Sequence, residues 1–148
     1  MHPLQPGSAA PVPASAPEGA HLVVFYKVTC PVCQMAAPIV DGIADANPGR
    51  VVAFGQDPEE DLAAFRSEFG IDVPTAPDIA PYPVSNEWGV RVVPTLFLVD
   101  DSGNVADIVE SWDRDGFNRL AQGLAEATGS DFVPVSHAGD GLPAFRPG

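Results

Sequence analysis

Cys30 and Cys33 are the chain's only cysteines, and they stand two residues apart directly after the apolar run HLVVFY, residues 21–26. A bridge between them would close a loop too small to restrain the unfolded chain, so the pair is not a structural staple. It is there for chemistry. The preceding run is short, β-branched and aromatic, the pattern of a strand buried on both faces. Pro31 follows Cys30 and suits the first position of a helix, where a missing N–H costs nothing. The order therefore predicts a strand, a tight turn and a helix that opens on Cys30.

That helix should carry Met35, Ile39 and Ile43 as its buried stripe, with Pro38 kinking it, and end at Asn47-Pro48-Gly49. RVVAFG, residues 50–55, reads as a second buried strand, which gives a right-handed crossover if the two strands are parallel. Asp57, Pro58 and Glu60 resemble a helix start with Asp57 as N-cap, and Leu62, Phe65 and Phe69 supply an apolar face. The proline-rich stretch that follows is expected to be a loop with a short edge strand and a helical turn near residues 85–88. TLFLVDDSGNVADIVE is a hairpin, with strands Thr95–Val99 and Val105–Glu110 around a turn-rich centre. A last helix should begin at Asp113 or Asp115, bury Phe117, Leu120, Ala121 and Leu124, and stop at Gly129.

Residues 1–20 are dominated by Pro, Ala, Gly and Ser without apolar periodicity and are expected to be a flexible tail. Residues 130–148 are again rich in Pro and Gly and form a second tail. One α/β domain, residues 21–129, lies between them, and a chain of 148 residues is long enough to bury a core without metal or disulfide support.

The succession of strand, Cys30-Pro31-Val32-Cys33 at a helix start, strand, helix, loop, Val93-Pro94-Thr95, hairpin and helix resembles the thioredoxin-like fold, a central mixed sheet flanked by helices. The insert before Val90 and the run WGVRVVPTLFLVDDSG are most similar to the TlpA-type, peroxiredoxin-related branch. The resemblance implies a thiol–disulfide oxidoreductase with Cys30 and Cys33 as the catalytic pair. It also implies a substrate-contacting surface of Thr29, Pro31 and Val32 around the first cysteine, with Val93 and a cis Pro94 facing it. The backbone of Val93 would pair with an extended substrate segment, as in strand addition. One departure concerns the position six residues before Cys30: thioredoxin has a buried acid there that helps to deprotonate the resolving thiol, and this chain has Val24.

The residues themselves support that chemistry. A thiolate is the attacking species, and unpaired N–H groups and the helix dipole make a helix N-terminus a favourable place for an anion. Cys30 is thus the expected nucleophile, with Lys27 either adding to the field or solvated at the surface. Cys33, one turn further in, is the expected resolving thiol. Related dithiols span about −270 to −120 mV, and sequence does not place this chain in that range.

The partners expected are a protein or small-molecule disulfide and a separate electron donor, with no cofactor. A net charge of −13 argues against nucleic acid, whose binding relies on Lys and Arg. No apolar stretch is long enough for a membrane span, and cytoplasmic residence is the simplest expectation, with a processed exported protein as the alternative. Two other activities share some of these features. A peroxiredoxin-like thiol peroxidase also uses a cysteine at a helix start, but the usual proline and threonine spacing before Cys30 is missing. A non-catalytic binding or metal-handling module could use the two cysteines as soft ligands. His2, His21 and His137 have no spacing that completes such a set, and each reads as a solvated histidine.

Overall fold

A computed structural model describes residues 2–11 and 16–148. Met1 and residues 12–15 of the expected N-terminal tail lie outside the described residues. β1 (His21–Tyr26) is followed by α1 (Pro31–Ala46), β2 (Val51–Gly55), α2 (Glu59–Phe69), β3 (Thr75–Pro77) and α3 (Pro83–Trp88). Then come the hairpin β4 (Thr95–Val99) and β5 (Val105–Glu110), the short β6 (Trp112–Asp113), α4 (Arg114–Thr128) and β7 (Phe145–Arg146). Five strands form one sheet in the order β3-β2-β1-β4-β5, and β6 pairs with β7 separately. β1, β2 and β3 are parallel, whereas β4 is antiparallel to both β1 and β5. This is the mixed α/β sheet expected from the order of elements.

β1 is buried at every residue, as its uninterrupted apolar run requires. Leu22, Val24 and Tyr26 join a core with Val32, Ala36, Val40 and Ile43 of α1, Leu62 and Phe65 of α2, and Phe117, Leu120 and Leu124 of α4. Val23 and Phe25 belong to a second core with Phe54, Trp88, Phe97, Val99 and Val105. Its aromatic rings are closely packed, with Phe25 and Phe54 stacked at 5.4 Å and Trp88 4.8 Å from Phe97. Alternate residues of one strand thus anchor both layers.

Several local expectations need correction. The buried residues of α1 are Val32, Cys33, Ala36, Ala37, Val40 and Ile43, so Met35 and Ile39 sit on its half-buried flank. Ala36 and Ala37 are buried in the core, while Met35 and Ile39 pack against its margin. Asp57 does not cap α2: Pro58 is the N-cap residue and there is no side-chain cap bond. Both α2 and α4 end on left-handed glycines, Gly70 and Gly129, where a side chain would be strained. His21 is buried, not solvated, and its Nδ1 lies 2.8 Å from the Gly19 carbonyl.

Residues 2–11, expected as a flexible tail, are laid against the second core. Gly7 N–H donates to Val105 O and Val105 N–H to Ser8 O, both at 2.8 Å, and Leu4 and Ala10 pack on the aromatic cluster. The segment supplies partners to backbone that β5 would otherwise expose at the sheet edge. Few apolar residues are needed for that, which is why the composition gave no sign of it. Residues 130–148 also return over the domain, where Trp112 Nε1 donates to Pro143 O at 2.7 Å and β7 runs antiparallel to β6.

Candidate active site

Cys30 is the N-cap residue of α1, and its sulfur accepts the Cys33 backbone N–H at 3.2 Å. The helix begins here because extended backbone at Cys30 (φ −85°, ψ 113°) leads into Pro31, which fixes the first helical φ. The Cys30 sulfur therefore faces the open N-terminus of a sixteen-residue helix, where N–H donors and the dipole favour negative charge. Both cysteines are free thiols, Cys30 half-buried and Cys33 only 3% exposed. Burial pushes the Cys33 thiol well above its ordinary range, and its hydrogen bond with Cys30 acts in the same direction. The two sulfurs are thus unequal: one accessible and hydrogen-bonded as an acceptor, the other desolvated and held as a thiol.

Val93 lies opposite. The Val93–Pro94 peptide bond is cis, and the Cys30 thiol donates to the Val93 carbonyl at 3.5 Å. The sheet places these residues together, because Phe25 near the end of β1 is in register with Thr95 at the start of β4. The loops after β1 and before β4 consequently emerge at the same end. Thr95 is fully buried and its hydroxyl donates to Val92 O at 2.7 Å, which braces the approach to β4.

Of the other residues expected around the motif, Thr29 and Pro31 are exposed beside Cys30. Val32 is not available in the same way. Its side chain is 5% exposed and belongs to the core of α1, because the second helical position turns inward under the sheet. The structure therefore brings Cys30, Cys33, Thr29, Pro31, Val93 and Pro94 to one place and withdraws the Val32 side chain from it. Val24, standing where thioredoxin has its buried acid, is a 3% exposed core residue.

Asp57 is a site residue that sequence reasoning assigned to another task. Its carboxylate accepts the Val28 backbone N–H at 2.8 Å and lies 3.8 Å from Lys27 Nζ. Lys27 is 35% exposed and turned to Asp57, the Gln56 carbonyl and the Tyr82 ring, so it is part of the loop's support. Gln34 Nε2 donates to Val28 O at 2.9 Å and Cys30 N–H to Lys27 O at 3.2 Å. The loop that presents Cys30 is thereby clamped from α1, from the end of β2 and from within. Only the Asp-Pro pair was visible in the sequence, and it served equally well as a helix-start signal.

Among the described residues no group of three or more His, Cys, Asp or Glu side chains is gathered as a metal would require, and no helix is long and apolar enough to cross a membrane.

No family model and no curated protein matches the chain. Solved structures do. A putative thiol:disulfide interchange protein DsbE from Chlorobium tepidum is similar with a TM-score of 0.71 at 22% identity, over 84% of this chain and 98% of that one. A putative protein disulfide isomerase from Bacteroides thetaiotaomicron has a TM-score of 0.74 at 16% identity, over 86% and 94% of the two chains. A secreted Mycobacterium tuberculosis disulfide oxidoreductase homologous to Escherichia coli DsbE has a TM-score of 0.60 at 20% identity, over 75% and 86%. With the sheet order above, these likenesses establish a thioredoxin-like fold.

Proposed function

We propose that the chain is a thiol–disulfide oxidoreductase of the DsbE or TlpA type, with Cys30 as nucleophile and Cys33 as resolving thiol. The observation that carries this reading is the inequality of the two sulfurs. Cys30 is reachable at a helix N-terminus and accepts an N–H bond, and Cys33 is buried one turn behind it. A metal-binding pair has no need of such a difference.

In the exchange, the Cys30 thiolate attacks one sulfur of a partner disulfide, and the S–S bond breaks as the other sulfur leaves as a thiolate and takes up a proton. Cys33, after losing its proton, attacks the Cys30 sulfur and releases the second partner thiol. Two electrons have passed to the partner, and Cys30 and Cys33 remain bridged until a separate dithiol reduces them. Thr29, Pro31, Val93 and Pro94 form the surface on which the partner's chain rests, with the Val93 backbone available for strand-like pairing.

The test is the fraction of bridged Cys30–Cys33, by alkylation and intact mass, across thiol/disulfide buffers. A reversible two-electron transition is expected, with Cys30→Ser abolishing exchange and Cys33→Ser accumulating mixed disulfides. A pair that never changes state across the accessible range overturns the reading.

A further inference from the structure

The proposed exchange requires a polypeptide disulfide to lay its flanking chain against the backbone beside Val93. In this structure that position is taken by the chain itself. Beyond β7 the backbone continues to Gly148, whose N–H donates to Ser111 Oγ at 3.0 Å. Gly148 is so close to the site that a Cβ there would overlap the Val93 carbonyl and stand 3.4 Å from Pro94 Cδ. The same carbonyl receives the Cys30 thiol. Gly148 and the Cys30 thiol therefore converge on one backbone oxygen.

The segment is held in a particular manner. Upstream, Arg114 Nη2 donates to Leu142 O at 2.7 Å, Trp112 Nε1 to Pro143 O at 2.7 Å and Arg114 N–H to Ala144 O at 2.9 Å. Trp112 is fully buried with its ring 4.6 Å from that of Phe117, so these anchors belong to the domain core. Residues 145–148 themselves are exposed, Phe145 at 58%, and contribute little to either core. Among the described residues, 145–148 are themselves held only by pairing with β6 and by the Ser111 hydroxyl, bonds that exchange with water at small net cost, so they can lift without disturbing the fold.

We propose that residues 145–148 are a specificity-determining strap that occupies the substrate-pairing edge at Val93 in the resting protein. The proposal rests on the exchange reading above. Cys30 stays half-exposed with the strap in place, so a small disulfide reaches its sulfur directly. A polypeptide disulfide must first displace the strap from Val93 and Pro94, and its apparent affinity is reduced by the fraction of time the edge is covered. The strap thus sets the relative rates of small and polypeptide disulfides without touching the dithiol chemistry.

Two full-length variants test this. Gly148→Val places a side chain against the Val93 carbonyl and should lift the segment from it. Ser111→Gly removes the hydroxyl that accepts the Gly148 N–H, and glycine readily adopts the positive φ of 68° found at Ser111. Rates are measured with insulin as the polypeptide disulfide and bis(2-hydroxyethyl) disulfide as the small one, together with the midpoint potential. The expected result is a rise of about threefold or more in kcat/KM for insulin in either variant, with the small-disulfide rate and the potential unchanged. Parent-like insulin kinetics in both variants, with the small-disulfide rate retained, overturn the strap alone. A parent protein that reacts with neither disulfide overturns the exchange reading, and the strap's role with it.

Discussion

Replacing Asp57 by alanine should destabilise the reduced protein through the loop that carries Cys30, and the structure allows the cost to be estimated. The carboxylate accepts the Val28 N–H at 2.8 Å, and the Asp57 side chain is only 12% exposed. A hydrogen bond to a charged group contributes about 1.5–3 kcal/mol. The ion pair adds less, since Lys27 Nζ is 3.8 Å away and its side chain is 35% exposed, a setting worth below about 1 kcal/mol. Asp57→Ala should therefore cost roughly 2–3 kcal/mol, which for a chain of this size is a fall in Tm of about 5–10 °C. Asp57→Asn keeps a neutral acceptor and should lose about half as much, and Lys27→Ala less again, below about 1 kcal/mol. Urea unfolding of the three variants in excess reductant, with m-values checked for equality, gives the ranking. A Lys27→Ala loss equal to that of Asp57→Ala would show that the charge pair, not the bond to Val28, holds the loop.

Two further outcomes follow from buried polar groups. Burial raises the Cys33 thiol, so the native protein retains a proton that the unfolded chain releases. Stability of the reduced form should be full below the ordinary thiol value of about 8.5 and fall above it by up to about 1.4 kcal/mol per pH unit. The decline should be readable up to about pH 10, where the Tyr26 phenol, also raised by burial, enters the balance, and it should vanish in Cys33→Ser. Asp78 is 2% exposed and accepts from Val84 N–H at 3.0 Å, Ser85 N–H at 2.8 Å and the Ser85 hydroxyl at 2.6 Å. Asp78→Ala leaves those donors at the start of α3 without their acceptor and should cost about 3 kcal/mol in urea unfolding, whereas a loss below about 1 kcal/mol would mean that water replaces the carboxylate.

The elements most readable in the sequence are those whose signals are local. The strands of the β4–β5 hairpin coincide with the two runs around Asp100-Asp101-Ser102-Gly103-Asn104, because turn chemistry and β-branched runs mark the same boundaries. The first half of the site was equally visible, since Cys30, Pro31 and Cys33 are contiguous and their meaning depends on one strand and one helix. The stripe of α1 was misplaced by a simple physical bias: Ala36 and Ala37 are buried yet carry less apolar surface than Met35 and Ile39. Asp57 was ambiguous because an Asp-Pro pair before acidic residues suits a helix start, and only the tertiary fold brings the Val28 N–H within its reach. Val93 was recognisable through its resemblance to a family pattern, but the segments that lie against the domain at each end were not. The first is held largely by backbone groups, and the second offers its Leu142, Pro143 and Ala144 carbonyls to Arg114 and Trp112; backbone groups belong to every residue and leave no compositional trace.

The topology explains why so many of these features meet at one end of the sheet. β1 and β2 are parallel, so Cys30 after β1 and Asp57 after β2 leave the sheet on the same side. β4 is antiparallel to β1, so it is the residues before β4, Val93 and Pro94, that meet the residues after β1. β5 is antiparallel to β4 in turn, and Glu110 at its end is in register with Thr95, which brings Ser111 to the same edge, where its N–H donates to Pro94 O at 2.8 Å. Any segment zipped onto β6, immediately beyond Ser111, is therefore directed towards the Val93 carbonyl by the strand order alone. Cys30, the loop that supports it, the backbone edge beside it and the segment laid on that edge are four consequences of one alternation of parallel and antiparallel strands. A substitution that alters the exit from β5 should consequently change selectivity among disulfides while leaving the two thiols as they are.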